Sequence, residues 1–330
     1  MPIRLALHFF NETLHQFLLI VDAERHLLGT VTDGDIRRGI LQGIGLDDPI
    51  ERCMHRRPKV GKAAQPKSQA ALLTGLPFLP LLDEQDRLVA VLLPTVMPGG
   101  ISDAVVMAGG LGKRLGPLTE HTPKPLLPIA GKPILEHILG NLEGAGIGRI
   151  WLSVNHLADQ FCSFIATREN SAEISLLQEP TKLGTAGSLS LLPEFSGEPL
   201  LVLNGDVLTQ VDYRALDAFH RSHCYDATIA VAHHQVQVPF GVIRHDENGL
   251  LTGIDEKPVV KHFVAAGIYY LSPEVVALIP RGRRIDMPEI LNEAHKVGMR
   301  LGLFPIHEYW TDVGRPEDLE AADEYHRTGK

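Results

Sequence analysis

Residues 103–125 read DAVVMAGGLGKRLGPLTEHTPKP. An apolar strand-like run feeds a glycine-rich loop that carries Lys113 and Arg114, and Lys124 follows between two prolines. Gly109, Gly110 and Gly112 permit positive φ and close approach of a ligand to the backbone. Further apolar runs at 149–154, 173–178, 199–204, 226–232 and 263–271 predict strands, with helical patterns between them. In 133–145, Ile134, Leu135, Ile138, Leu139 and Leu142 fall on one helical face, behind a Pro133 tolerated in a first turn. Such alternation predicts an α/β fold: a Rossmann-like, mostly parallel (mixed) sheet with helices on both faces. Ligands in these sheets bind beyond the carboxyl ends of the strands, where the glycine loop falls.

Three phosphate-binding schemes fit a loop of this kind. A P-loop requires GxxxxGK[ST], and Arg114 follows Lys113 where Ser or Thr is needed. A dinucleotide fingerprint requires GxGxxG, whereas Gly110, Gly112 and Gly116 give GxGxxxG, and Pro117 opposes an immediate long helix. This disfavours an NAD-dependent oxidoreductase. The third scheme wraps backbone N–H groups around a triphosphate, with Arg114 supplying charge.

The stretch GGLGKRLGPLTEHTPKPLLPIAGKPILEH resembles the GGxGxRLxPLT…PKP signature of sugar-1-phosphate nucleotidyltransferases. The resemblance continues in order through LGTAGSL (183–189), LNGDV (203–207), VPFGVI (238–243), DEKP (255–258), AGIYYL (266–271) and YWTDVGRPED (309–318), over about 230 residues. It implies an enzyme whose sugar-phosphate oxygen attacks the α-phosphorus of a nucleoside triphosphate and expels pyrophosphate. Such chemistry needs positioning and charge neutralisation more than a protein nucleophile. It further implies a nucleotide site at Ala108, Gly109, Gly110, Gly112, Glu179, Gly184 and Thr185. Arg114 would grip the triphosphate, Lys124 would approach the reacting phosphates, and Lys257 would bind the sugar phosphate. Gly205, Gly241 and Glu256 would serve the sugar, and Asp206 and Asp312 would hold Mg²⁺ through hard oxygen ligands. Bland roles stand beside these: an Asx turn for Asp206, a helix cap near Pro316 for Asp312, and solvated loops for Lys113 and the Glu256-Lys257 turn.

Glu179 aligns with a position where thymidylyltransferases use Gln. A carboxylate only accepts, which suits the adjacent N1–H and amine of guanine, so GTP is the expected donor. Glu179 solvated, with Gln178 as reader, stays open, as do UTP and dTTP. The signature often has Thr where Lys113 stands, and many relatives have Asn where this chain has Ala265, a position that commonly touches a sugar hydroxyl. His233 and His234 are adjacent on a predicted strand, face opposite ways, and read as surface or packing residues.

The Pro/Gly-rich stretch at 94–100 predicts a boundary, with domains 1–98 and 99–330. In the first part, FLLIVDAERHLLGTVTDGDIRRGIL and LPLLDEQDRLVAVLL share an apolar strand, an Asp-centred turn and a second strand. This pair resembles a partial, N-terminally incomplete CBS-type regulatory module. The resemblance implies an adenine-nucleotide effector held by Thr32 and Asp35; the alternative is a small α/β packing domain in which Asp35 caps the next helix. The two-part chain resembles guanylyltransferases of bacterial nonulosonic (legionaminic-type) sugar pathways. A catalytically inactive nucleotide sensor is the rival from another class, and a homo-oligomer stays open.

With a formal net charge of -9, nonspecific nucleic-acid binding is not expected. Cys53, Cys162 and Cys224 show no ligand or disulfide spacing, which fits a reducing cytoplasm. No apolar run reaches membrane-spanning length, so no membrane partner is expected.

Overall fold

The computed structural model describes residues 1–13, 16–64, 72–73, 76–94, 100–169, 171–193 and 196–329. Residues 95–99, which carry most of the boundary expected from sequence, lie outside the described residues. The chain divides into two compact units, Met1–Ile101 with Asp212–Tyr225, and Ser102–Val211 with Asp226–Lys330.

The first unit opens with helix α1 (Ile3–Glu12), strands β1 (Phe17–Val21) and β2 (Leu27–Thr32), and helix α2 (Asp33–Leu41). A short β3 (Gly61–Lys62) pairs parallel with β4 (Leu79–Leu82), which pairs antiparallel with β5 (Leu88–Leu92). The two antiparallel hairpins turn alike: Asp22 accepts from the His26 N–H at 2.7 Å, and Asp83 from the Arg87 N–H at 2.9 Å. Thr32 and Asp35 close a capping box on α2, each side chain accepting from the other's backbone N–H. Asp35 also pairs with Arg38. One turn along α2, the buried Arg37 pairs with Asp33 at 2.6 Å.

In the second unit, β6 (Asp103–Met107) begins a seven-stranded sheet. The chain continues through a small hairpin, β7 (Pro128–Ile129) and β8 (Lys132–Pro133), into α3 (Ile134–Gly144). All five apolar residues assigned to one face of α3 are buried. Next come β9 (Arg149–Val154), α4 (Ala158–Thr167), β10 (Glu173–Gln178), the single turn α5 (Gly184–Gly187), β11 (Leu200–Asn204) and β12 (Val207–Thr209). Helix α6 (Tyr213–His223) then groups with the first unit, although the sequence boundary assigns it to the second. Its buried face carries Tyr213, Leu216 and Phe219, and the Phe219 ring passes close over Gly34 of α2. Gln16 donates to Asp212 at its start.

Long strands β13 (Ala227–Gln237) and β16 (Val259–Leu271) flank the hairpin β14 (Val242–His245) and β15 (Leu251–Asp255). The remaining elements are α7 (Pro273–Ala277), α8 (Met287–Lys296), β17 (Leu301–Pro305), β18 (Trp310–Asp312) and α9 (Pro316–Thr328). The sheet order is β10-β9-β6-β11-β16-β13-β17, and β16 alone runs antiparallel to its neighbours. The expected mostly parallel, mixed sheet is therefore present. Val105, Val202, Leu200 and Leu271 form a core with Met287 and Ile290 of α8. Among the described residues, no helix is long and apolar enough to cross a membrane.

Candidate active site

The glycine loop leaves β6 at the carboxyl end of the sheet. Gly109 is tightly framed: a Cβ there would lie 2.8 Å from Glu179 Oε1. A Cβ on Gly110 would meet nothing within 4 Å. Gly112 has φ +60°, and a Cβ on it would meet Thr119 at 2.7 Å. The segment Lys113–Thr119 forms short 3-10 turns kinked at Gly116, and Thr119 Oγ1 donates to the Gly112 carbonyl at 3.1 Å. No long helix follows the loop, in keeping with Pro117. Lys113 is exposed. Arg114 is exposed too, and has no hydrogen bond or ion pair among the described residues. Its guanidinium lies against Gly314, 3.2 Å from where a Cβ would stand.

Asp206 and Asp312 are brought together by backbone pairing. Asp206 follows Gly205 at the end of β11, and Gly205 N–H donates to Met107 O of the adjacent β6 at 3.0 Å. A Cβ on Gly205 would approach that carbonyl to 2.8 Å, so glycine is required where the chain crosses β6. The short ribbon of β12 and β18 sets Val207 opposite Asp312, and Val313 N–H donates to Asp206 O at 3.0 Å. Lys124, 7% exposed, reaches between the two acids. It forms an ion pair with Asp206 and lies 3.7 Å from Asp312 Oδ1.

Asp312 Oδ1 is buried and has no hydrogen-bond partner. Burial pushes its carboxyl above the ordinary aspartate value and the Asp206 charge adds to this, while Lys124 and Arg114 pull it down. The cap role weighed for Asp312 belongs to Asp318, which accepts from the Gly314 and Arg315 N–H groups at 3.1 and 2.8 Å.

Glu179 is buried rather than solvated. Oε1 accepts from Ser153 Oγ and Oε2 from Leu183 N–H, both at 2.7 Å. The carboxylate thereby ties β9 to the start of α5 and lies against Gly109 of the glycine loop, while Gln178 is exposed. Gly184 has φ +84° and meets the Ile285 carbonyl so closely that a Cβ would lie 2.5 Å from it. Thr185 N–H donates to Asp286 at 2.9 Å and its Oγ1 accepts from Met287 N–H at 2.8 Å. Ala108 is buried, with its N–H on Ser153 O at 2.8 Å.

Gly241, Glu256 and Lys257 form a separate, exposed group at the base of the β14–β15 hairpin. A Cβ on Gly241 would lie 3.0 Å from Glu256 Oε2, and Lys257 adopts φ +46°. Among the described residues, no hydrogen bond or ion pair joins this group to the Lys124 cluster.

A pocket of about 270 Å³ opens beside Asp312, lined by Asn204, Val207, His234, Val264, Gly267 and Trp310 among others. Sequence reasoning left His234 aside. Strand alternation was the available signal: His233 packs on Phe263 at 4.3 Å, so His234 faces the other way. Asn204 stood inside LNGDV but was read only through its Asp.

The chain matches the Nucleotidyl transferase family over residues 103–328. The mannose-1-phosphate guanylyltransferase catalytic subunit beta of Drosophila pseudoobscura pseudoobscura is 34% identical over 233 residues, covering 68% of this chain and 62% of that protein. The chain thus spans about 62% of the length of the curated relatives it matches. Among solved structures, HddC from Yersinia pseudotuberculosis complexed with GMP-PN is 27% identical with a TM-score of 0.54, covering 68% of this chain and 100% of that one. A putative glucose-1-phosphate thymidylyltransferase from Bacillus anthracis is 25% identical with a TM-score of 0.55, covering 68% and 95%. Because the match runs from the first strand of the seven-stranded sheet to the last helix and includes both acids of the cluster, this chain belongs to the Nucleotidyl transferase family.

Proposed function

We propose that this protein is a sugar-1-phosphate guanylyltransferase. It transfers the guanylyl group of GTP to a sugar 1-phosphate and releases pyrophosphate. The observation that carries this reading is the cluster of Lys124, Asp206 and Asp312 beside the glycine loop. The guanylyltransferase names of its relatives and the GMP-PN complex of a structural neighbour support GTP over pyrimidine donors.

In this reading the Gly110 region presents backbone N–H groups to the triphosphate, and unpaired Arg114 closes on its oxygens. The residues fit a divalent cation. Two carboxylates lie within reach of one ammonium, and the buried Asp312 Oδ1 lacks a partner. Asp206 and Asp312 would hold Mg²⁺, which neutralises phosphate charge when bound. A sugar-phosphate oxygen forms the new bond to the α-phosphorus, the α–β phosphoanhydride bond breaks, and the electron pair leaves on pyrophosphate. Lys124, released from the acids, follows the reacting phosphates. Exposed Lys257 and Glu256 would close on the sugar phosphate and sugar as the hairpin's contribution. Glu179 first fixes the loop. Each of its oxygens keeps a lone pair free, which in this reading accepts from guanine N1–H and the amine.

At the first unit, the capping box accounts for Thr32 and Asp35 without a ligand. A pyrophosphate-release assay with GTP, UTP and dTTP against mannose and glucose 1-phosphates tests the proposal. Release with GTP and at least one sugar phosphate is expected; no release with any pair would remove the catalytic reading, and preference for a pyrimidine would remove the donor.

A further inference from the structure

The pocket beside Asp312 is floored by four consecutive residues of β16, Val264 to Gly267. Gly267 marks one end, where a Cβ would lie 2.6 Å from the Asn204 amide and 3.0 Å from Val207. Val264 and His234 line it farther along β16 and β13, past the bulge where the register of the two strands shifts and Gly267 adopts φ +72°. The Asn204 end is the reactive one: Asn204 directly precedes Gly205-Asp206, and Val207 is the register partner of Asp312. A sugar 1-phosphate whose phosphate approaches Lys124 and the acids must therefore point its far ring edge toward Val264 and His234.

The polar groups of the pocket divide cleanly. The Trp310 indole N–H is committed to Ala266 O at 2.8 Å, and Asp312 faces Lys124. Neither the Asn204 amide nor the His234 imidazole has a hydrogen-bond partner among the described residues. Between them the floor is Ala265, Ala266 and Gly267, which offer nothing larger than a methyl group. Among the side chains that line the pocket, hydrogen bonding to the remote edge of a bound ring thus falls to His234.

We propose that His234 is a specificity-determining residue: it hydrogen-bonds a hydroxyl on the sugar edge remote from the phosphate. The substrate class is then a sugar 1-phosphate that keeps a hydroxyl at C4 or on the exocyclic carbon, in preference to a sugar deoxygenated there. This rests on reading the pocket as the sugar site of the proposed transferase.

The test uses the full chain with GTP and mannose or glucose 1-phosphate, whichever wild type uses better, together with its 4-deoxy and 6-deoxy analogues. Wild type is expected to prefer the parent sugar over at least one analogue by about tenfold or more in kcat/KM, because a site built to bond a hydroxyl rejects the analogue lacking it. His234→Ala should bring that ratio close to one, by raising KM for the parent sugar while KM for GTP holds. His234→Gln should restore part of the ratio. The proposal is overturned if wild type does not discriminate, if His234→Ala leaves the ratio unchanged, or if it weakens all sugars equally. Failure of the underlying transferase reading is distinct: wild type would release no pyrophosphate with any of these sugars.

Discussion

Lys124 occupies the space between the two carboxylates that the proposed function gives to a cation, and in that reading it competes with the cation before catalysis begins. Replacing it by Gln removes the competition. At 3.7 Å from Asp312 Oδ1, an ammonium and a carboxylate attract by roughly 4–5 kcal/mol at an effective dielectric of about 20. Asp312 is 43% exposed, and solvent screening cuts the usable part to about 1 kcal/mol. That corresponds to about fivefold in an equilibrium constant. Titration calorimetry with Mg²⁺ in the absence of nucleotide, at pH 8, should show Lys124→Gln binding Mg²⁺ about fivefold more tightly than wild type. Turnover in pyrophosphate release should fall by about a hundredfold or more, because a positioned cation at the reacting phosphates is lost. Lys124→Arg should return Mg²⁺ affinity toward the wild-type value without restoring turnover, since its flat fork cannot follow the phosphates as a point charge does. Unchanged or weaker Mg²⁺ binding by Lys124→Gln, with native circular dichroism, would refute the competition.

Two further predictions come from other hydrogen-bonded carboxylates. Glu179→Gln keeps an acceptor for Leu183 N–H and a partner for Ser153 Oγ, so the loop should stand while the anionic acceptor is lost; the GTP-to-UTP ratio of kcat/KM should drop by at least about tenfold, and an unchanged ratio would end the base-reading role. The Arg168 fork holds the Glu143 carboxyl down at about 2 against the opposing effect of burial, with help from the Ala172 and Ser171 N–H groups. Its folded value is depressed from the ordinary 4.5, so its stabilisation is full above that value and fades as pH falls toward 2. Glu143→Gln should cost about 2 kcal/mol in urea unfolding at pH 7, with the gap to wild type closing through that acid window; a gap that stays constant would show that the charge is not responsible.

The parts of this fold that sequence displayed were those with local signals. Strand β9 and helix α3 announce themselves by apolar period, and Gly109, Gly110 and Gly112 by a loop that only a ligand or a crowded turn requires. Strand β17 was missed because Gly302 and Pro305 break up its LGLFP run. The meeting of Asp206 with Asp312 depends on a three-residue ribbon between distant segments, which no local pattern encodes. Glu179 could be seen as a lone acceptor in sequence, but its engagement with Ser153 and Leu183 arises only when β9 and β10 lie side by side. His234 is one of two adjacent histidines, and only the pairing of β13 with β16 shows which of them faces the pocket.

Helix α6 is encoded within the transferase segment but grouped with the first unit, and the chain therefore passes between the units at 101–102, 211–212 and 225–226. The two units are not beads separated by one joint. A gene rearrangement that exchanged the first hundred codons would take from the α6 segment Gly34, over which the Phe219 ring passes, and Gln16, which donates to Asp212. The front unit is thus completed by a stretch of sequence more than a hundred residues downstream. Grafting this front unit onto another family member would require transplanting residues 212–225 along with it.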